Sequence, residues 1–135
     1  MVESTSFKST FTGREYKMWY RLTCKSKFVI YLVTCRRCKS QYVGSTITTM
    51  MERHTQHRQE IAEKSTPLGR HFSECSYENF SLQIIACVKE GEVEALEIAE
   101  GFWQNHLATF AEHGGINVRD EYIYRKIEVN EMSID

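Results

Sequence analysis

The segment VIYLVTCRRCKSQYVGST, residues 29–46, constrains the fold more than any other part of the chain. It contains two stretches, 28–34 and 41–45, that are short and rich in apolar and β-branched side chains. Such runs are typical of β-strands, and the few residues between them leave room only for a tight connection. The segment therefore predicts a β-hairpin.

The predicted tip of this hairpin is Cys35-Arg36-Arg37-Cys38. If these four residues join the strands directly, the register places Tyr31 opposite Tyr42, with both phenols on one face of the sheet. Arg-Arg is unfavourable in a two-residue turn, which normally contains Asn-Gly or a similar pair. We therefore expect something other than turn propensity to close the tip.

The rest of the chain predicts helices and one more strand. Thr49 and Glu52 form a capping box, and Thr66 precedes Pro67, a residue favoured at the first helical position. The predicted elements are helices from Thr49 to about Lys64, from Thr66 onward, and from Glu92 to about Phe110, and a strand over 80–88. The last helix has an apolar stripe that includes Leu96, Ala99, Trp103, Leu107 and Phe110, and Gly114-Gly115 ends it. This order predicts an α+β domain on a three-stranded sheet over residues 25–117, with an N-terminal arm (1–24) and an acidic tail (118–135).

The net charge of −1 hides an asymmetry along the 135 residues. Residues 1–70 carry 13 Lys and Arg against 5 Asp and Glu, a net of +8, whereas residues 71–135 carry 4 against 13, a net of −9. Such a division favours one basic face that binds phosphates, although charges scattered over a mixed surface would give the same totals. No run reaches the roughly 18 apolar residues of a membrane helix. Five cysteines without a signal peptide predict an intracellular protein of the nucleus or cytoplasm, not a secreted one.

Four residues have the composition of a zinc site. Cys35 and Cys38 lie at the hairpin tip, and His71 and Cys75 share one face of the helix that Thr66 begins. Three thiolates and one imidazole make a closed tetrahedral Cys₃His set, which is typical of structural zinc and would hold the Arg-Arg tip shut. His57 in place of Cys75 remains an alternative ligand, and free thiols beside a surface histidine remain the alternative to any metal.

A second group of residues suits phosphodiester cleavage. Arg53 and His57 are four apart on one helix and project from the same face. A carboxylate on the last helix, Glu97 or Glu100, would hold one divalent cation, while arginine neutralises the phosphate and a phenol or imidazole deprotonates water. Each residue taken singly also has an ordinary structural explanation, so spacing alone leaves this interpretation open.

Together these positions resemble the GIY-YIG endonuclease family. The resemblance is carried by VIY (29–31), YVG (42–44), the pattern R-x-x-x-H (53–57), Glu100 before Phe-Trp, and GGIN ending at Asn117. The Cys-x-x-Cys between the tyrosine motifs, together with YVGST and PLGRHF, is similar to the zinc-bearing GIY-YIG domains of Penelope-like retroelements. Val29 departs from the family, which has glycine there.

The resemblance implies a three-stranded antiparallel sheet flanked by helices and hydrolysis of DNA with Mg²⁺ or Mn²⁺. It implies that Tyr31 deprotonates water, that Tyr42 contacts the scissile phosphate and that Gly44 lets the backbone approach DNA. It also implies that Arg53 stabilises charge on the phosphoryl oxygens and that His57 positions or accepts the proton. Glu100 would bind the cation, and Asn117 would brace the site. We also expect Arg36, Arg37 and Arg58 to contact DNA. The protein is expected to need no small-molecule cofactor and to be able to form a homodimer. The rival interpretations are a non-catalytic nucleic-acid-binding or assembly module that keeps the fold and zinc, and a protein-interaction domain.

Overall fold

The computed structural model describes residues 6–17 and 25–118, and it has the α+β fold expected from the sequence. A three-stranded antiparallel sheet is flanked by helices, and a separate two-stranded hairpin lies at the N-terminal end. The strands are β1 (Ser6–Lys8), β2 (Glu15–Lys17), β3 (Val29–Cys35), β4 (Gln41–Thr46) and β5 (Phe80–Cys87). The helices are α1 (Met50–Glu63), α2 (Pro67–Cys75) and α3 (Val93–Leu107), with 3₁₀ turns at Tyr77–Asn79 and Ala111–His113.

The larger sheet has the order β4-β3-β5, so β3 is central and β4 is an edge strand. Tyr31 pairs with Gly44, and Tyr42 pairs with Val33. The predicted register, with Tyr31 directly opposite Tyr42, was therefore wrong by two residues. A shift of two keeps both side chains on the same face, and the phenols become diagonal neighbours.

The register differs because the hairpin connection is longer than predicted. Cys35 N–H donates to the Ser40 carbonyl at 2.9 Å, and Lys39 N–H donates to the Cys35 carbonyl at 2.8 Å. Lys39 has φ 67°, a left-handed conformation that reverses the chain. Arg36 N–H donates to the carbonyl of Asn79 at 2.8 Å, so the loop is also held to the turn before β5. A five-residue connection, 36–40, thus closes a tip for which Arg-Arg alone is poorly suited.

The predicted caps of the first two helices are present. Thr49 accepts a hydrogen bond from Glu52 N–H at 3.2 Å, and Thr66 accepts one from Gly69 N–H at 3.0 Å, with Pro67 at the first helical position. A threonine cap of this kind contributes about 1 kcal/mol. Lys64, with φ 55°, ends α1 close to the predicted boundary. Local sequence therefore determines where these helices begin.

The last helix is shorter than predicted. It ends at Leu107 because Ala108 takes a left-handed conformation with φ 53°. Phe110 is buried, but it follows the helix and does not belong to its stripe. Gly114 ends the following 3₁₀ turn instead of α3.

The two faces of the sheet are covered by different helices, each with its own apolar core. Alternate residues of β3 point to opposite faces. One core combines Tyr31, Val33, Met50, Leu68 and Phe72 from β3, α1 and α2. The other combines Ile30, Leu32, Val43, Leu96 and Leu107 from the sheet and α3. In the part of the chain that the structure describes, no helix is long and apolar enough to cross a membrane.

The N-terminal hairpin packs against α3. Phe7 is buried, stacks on Tyr16 at 5.5 Å between ring centroids, and meets Trp103 edge-on at 5.2 Å. The Ser9 hydroxyl donates to the Leu107 carbonyl at 2.6 Å. Part of the arm predicted over 1–24 is thus a β-hairpin packed on the domain. The acidic tail lies outside the described residues except for Val118.

Candidate functional site

Tyr31, His57 and Arg53 form a buried polar cluster on the α1 side of the sheet. The Tyr31 hydroxyl lies 2.5 Å from His57 Nε2, and Arg53 Nε donates to the same hydroxyl at 3.2 Å. Both Tyr31 and His57 are fully buried. Arg53 and His57 meet the phenol together because residues four apart on a helix share a face. One phenol oxygen therefore contacts both an imidazole and a guanidinium.

Tyr42 adds a second phenol beside this cluster. Its ring centroid is 6.3 Å from that of Tyr31 and 6.1 Å from that of His57, and the His57 contact is edge-on. Gly44, between Tyr42 and the end of β4, has a specific steric role. A Cβ at this position would clash with the Tyr31 hydroxyl, so glycine makes room for the phenol. The expected approach of the Gly44 backbone to DNA stays a prediction.

The neighbours of Arg53 favour the protonated, positively charged form of its guanidinium. Burial lowers the pKa of the guanidinium, but the nearby phenols of Tyr31 and Tyr42, the hydrogen bond to Tyr31 and the carboxylate of Glu60 raise it above its ordinary value. A guanidinium held beside phenol oxygens provides a permanent positive charge inside the site.

Glu100 lies on the other face of the sheet, on α3. It is 4% exposed, and the Ser45 hydroxyl donates to its Oε2 at 2.6 Å. Gln104, one turn later, approaches Oε1 at 3.5 Å. Glu97, the alternative carboxylate, is only half-buried. Gly44 and Ser45 are consecutive on the edge strand, so the Tyr31 cluster and Glu100 approach the same edge from opposite faces.

Asn117 braces that edge strand. Val43 N–H donates to Asn117 Oδ1 at 2.8 Å, and Asn117 Nδ2 donates back to the Val43 carbonyl at 3.0 Å. The Thr109 hydroxyl also donates to Oδ1 at 2.6 Å. The amide thus satisfies the backbone groups that an edge strand leaves unpaired, and it holds β4 beside the buried cluster.

The four predicted zinc ligands come together at the hairpin tip. The sulfur atoms of Cys35, Cys38 and Cys75 and a ring nitrogen of His71 all lie within 4.8 Å of one another. Of the two alternatives for the fourth ligand, Cys75 belongs to this cluster, whereas His57 belongs to the Tyr31 cluster. Ligands of a tetrahedral zinc ion with bonds of roughly 2.3 Å lie about 3.8 Å apart, so the set fits zinc after a small contraction.

The pKa shifts of the side chains at the hairpin tip also indicate a site suited to a cation. Burial lowers the pKa of His71, which favours the neutral imidazole that binds metals. Burial raises the pKa of Cys38, but hydrogen bonds with Ser40 outweigh this and lower it. Burial and the neighbouring sulfur atoms of Cys35 and Cys38 raise the pKa of Cys75. Crowded thiolates repel one another, and a divalent cation would remove that repulsion.

The three predicted DNA-contacting arginines are exposed, in contrast to the buried cluster. Arg36 and Arg37 are in the loop at the hairpin tip. Arg58 lies on α1, with its guanidinium 5.1 Å from the ring centroid of Tyr77. The structure therefore leaves these charges available to solvent, while Arg53 is held inside the site.

Sequence reasoning missed two residues that contact the cluster residues directly. Ser45 donates to Glu100, and Glu60 lies 2.9 Å from His57 Nδ1. The spacing His57-x-x-Glu60 was a usable signal, because residues three apart on a helix are neighbours. Ser45 gave no such signal, since its contact with Glu100 is made across 55 residues.

Comparison with known proteins assigns the family. Residues 27–113 match the model of the GIY-YIG catalytic domain, which is more than half of the chain. No curated protein and no solved structure matches the chain. The matched range includes both tyrosine motifs, α1, the tip cluster and Glu100, and it ends just before Asn117. The chain belongs to the GIY-YIG family, and its matched domain is of the nuclease type.

Proposed function

We propose that this protein is an endonuclease that hydrolyses DNA phosphodiester bonds with one divalent cation, Mg²⁺ or Mn²⁺, and carries a structural zinc. The single observation that carries the proposal is the contact of one phenol oxygen with both His57 and Arg53. Beside it, across the edge strand, lies the buried carboxylate of Glu100.

The proposed reaction begins with proton transfer at Tyr31. The phenol proton passes to His57 Nε2, 2.5 Å away, and the phenol oxygen then accepts a proton from the attacking water. The positive charge of Arg53 stabilises negative charge on the phenol oxygen and on the phosphoryl oxygens. Tyr42 would donate a hydrogen bond to the phosphate, and Asn117, through its two bonds with Val43, would hold β4, the strand that carries Tyr42, in position.

Glu100 is the residue that would hold the catalytic cation. A lone carboxylate suits Mg²⁺, which keeps several waters and binds through one or two carboxylates plus substrate phosphates. Ser45 and Gln104 contact its two oxygens and so orient the carboxylate. When bound, the cation supplies charge neutralisation at the phosphate and at the leaving oxygen.

The zinc site would stabilise the fold and take no part in hydrolysis. Its four protein ligands leave no open position for substrate. The site joins the β3–β4 loop to α2, which packs against the helix that carries Arg53 and His57. Zinc at the tip would therefore stabilise the packing of α2 on α1, and with it the reactive cluster of Tyr31, Arg53 and His57.

The substrate is inferred from chemistry. The basic half of the sequence includes the exposed arginines Arg36, Arg37 and Arg58, which are suited to neutralising DNA phosphates. Kinship with the zinc-bearing domains of retroelements rests on the Cys-x-x-Cys between the two tyrosine motifs. Dimerisation belongs to the same proposal, because a single site per chain cuts both strands most simply as a pair.

The test is cleavage of supercoiled plasmid by the purified chain, first in Mg²⁺ and then in Mn²⁺, with Glu100→Ala beside it. Glu97→Ala is the matched control, because Glu97 lies on the same helix and is half-buried. We expect the wild type and Glu97→Ala to cut and Glu100→Ala to lose about 10²-fold or more in rate.

Cutting by Glu100→Ala at the wild-type rate would show that Glu100 does not hold the cation. Failure of the wild type to cut plasmid, linear and branched DNA with either cation would overturn the nuclease proposal. Salt-dependent DNA binding without cutting would then favour the non-catalytic module, and absence of binding would favour a protein-interaction domain.

A further inference from the structure

Glu60 contacts both basic members of the reactive cluster. Its Oε2 lies 2.9 Å from His57 Nδ1, and its Oε1 lies 3.6 Å from Arg53 Nη1. The side chain is 19% exposed, so it is largely withdrawn from water. Glu60 thus completes a row of polar contacts that runs from Tyr31 through His57.

The contact determines which nitrogen of His57 carries the proton. An ionised carboxylate can only accept hydrogen bonds, so Nδ1 must be the protonated nitrogen facing Glu60. In a neutral imidazole the other nitrogen, Nε2, is then an acceptor, and it faces the Tyr31 hydroxyl. Burial raises the pKa of Glu60, but its hydrogen bond to His57 and the charges of His57 and Arg53 outweigh this and lower it. Glu60 is therefore ionised at neutral pH.

We propose that Glu60 is a positioning residue for this nuclease: its carboxylate holds His57 with Nδ1 protonated, so that Nε2 can accept the Tyr31 proton. The proposal rests on the nuclease function given above. The proton moves from the Tyr31 oxygen to His57 Nε2, while Nδ1 keeps its own proton. The imidazolium that forms is stabilised by the carboxylate beside it, and nothing is oxidised or reduced.

The second helix keeps Glu60 in place. The Thr66 hydroxyl donates to Glu60 Oε2 at 3.3 Å and is itself the cap of α2. Gly69 lies so close to α1 that a Cβ there would clash with the Glu60 carbonyl oxygen. The helix that carries His71 and Cys75 thus also fixes the residue that orients His57. This arrangement gives α2, through its cap Thr66, a hydrogen-bonded link to Glu60 and from there to His57.

A purely structural role would also explain the contacts, because Glu60 pairs with His57 three residues away and bridges to Thr66. The two roles differ in what they predict. If Glu60 is only a structural brace, its replacement lowers stability, and the cleavage rate of the folded protein does not depend on the His57 tautomer. A positioning residue controls the tautomer and therefore kcat, with little effect on KM.

The first measurement is the protonation state of His57. It is monitored by ¹⁵N NMR of the full chain labelled at histidine, and the His57 signals are assigned by their loss in His57→Gln. We expect a neutral imidazole protonated at Nδ1 in the wild type and in Glu60→Gln, whose amide oxygen still accepts the bond. Glu60→Ala should transfer population to the Nε2–H form. A wild-type His57 protonated at Nε2, alone or together with Nδ1, would overturn the proposal without reference to any cleavage activity.

The second measurement is DNA cleavage by Glu60→Ala and Glu60→Gln. Because general acid–base catalysis contributes about 10²–10⁴-fold, we expect kcat to fall about 100-fold in Glu60→Ala, with KM within about threefold of wild type. Glu60→Gln should lose only about 10-fold, because it keeps the tautomer and loses the charge. Glu63→Ala is the control on the same helix, since Glu63 is exposed and accepts a hydrogen bond from Gln59 on the surface of α1.

Equal kcat values for wild type and folded Glu60→Ala would overturn the positioning role while leaving the nuclease proposal intact. A wild type that cuts no DNA would overturn the nuclease function, and the kinetic role of Glu60 with it. The tautomer measurement would still report whether Glu60 orients His57. Circular dichroism and the melting temperature of each variant separate loss of fold from loss of turnover.

Discussion

The two ends of the β3–β4 hairpin carry polar clusters that are built differently. At the Tyr31–Gly44 end, phenol, imidazole, guanidinium and carboxylate form a hydrogen-bonded row that is complete without a ligand. At the Cys35–Cys38 tip, four ligand atoms gather within 4.8 Å, and three of them are thiols that crowd one another. A closed hydrogen-bond network suits proton transfer, and a crowded set of soft ligands suits a structural cation. We therefore expect changes at the first end to reduce turnover and changes at the second to reduce stability.

The largest expected effect is at the reactive end, in Arg53→Ala. Loss of a charge that stabilises the transition state should lower kcat about 10²–10³-fold, with a much smaller change in DNA affinity. The measurement is single-turnover cleavage beside equilibrium DNA binding. Arg58→Ala is the comparison on the same helix, because Arg58 is exposed and should affect affinity more than rate. Equal losses in rate and affinity for Arg53→Ala would make Arg53 only a binding residue.

The corresponding change at the tip is Cys35→Ser, which removes a buried zinc ligand. Because binding energy of a structural zinc is folding energy, we expect loss of the metal and a fall in melting temperature of roughly 10 °C or more. Zinc content and thermal unfolding are measured on the same samples. Cys87→Ser is the control, since Cys87 lies on β5 outside the cluster. An unchanged metal content and melting temperature in Cys35→Ser would remove the structural zinc from the proposal.

A smaller effect is expected from the charges beside the zinc site. Replacing both Arg36 and Arg37 by glutamine should reduce the slope of log affinity against log salt by about 2, if each neutralises one phosphate. Lys89→Gln, in an exposed position after β5, should leave the slope unchanged. The measurement is DNA binding at several salt concentrations. An unaltered slope in the double variant would move the DNA surface away from the hairpin tip.

The smallest effect concerns acid stability at the reactive end. The folded-state pKa of Glu60 lies below its ordinary 4.5, so its stabilising contribution is present above pH 4.5 and is lost as pH falls through the folded value. The wild type should therefore melt above Glu60→Gln at neutral pH, and the gap should close on acidification. Thermal unfolding between about pH 7 and pH 3 checks this. A gap that stays constant would show that the ionised carboxylate does not stabilise the fold.

The starts of the first two helices and the shared helix faces were predictable because they depend on neighbours in sequence. Thr49 and Thr66 cap helices through a side chain and a backbone N–H three residues away. Arg53 and His57 reach the same phenol because of the helical repeat. The hairpin register was not predictable in the same way. It depends on Lys39 in a left-handed conformation and on a bond from Arg36 to Asn79, which lies in a distant part of the chain.

By itself, the sequence determined the α+β fold, the two tyrosine strands, the helices that begin at Thr49 and Thr66, and three of the residues that gather at the tip, Cys35, Cys38 and His71. Only the tertiary structure decided that Cys75, and not His57, joins that tip cluster, and that Glu100 and the Tyr31 cluster approach one edge strand from opposite faces. The reason is physical: helix caps and faces arise from bonds between residues three or four apart. Contacts between separate elements depend on how the helices pack on the sheet, which no local pattern contains.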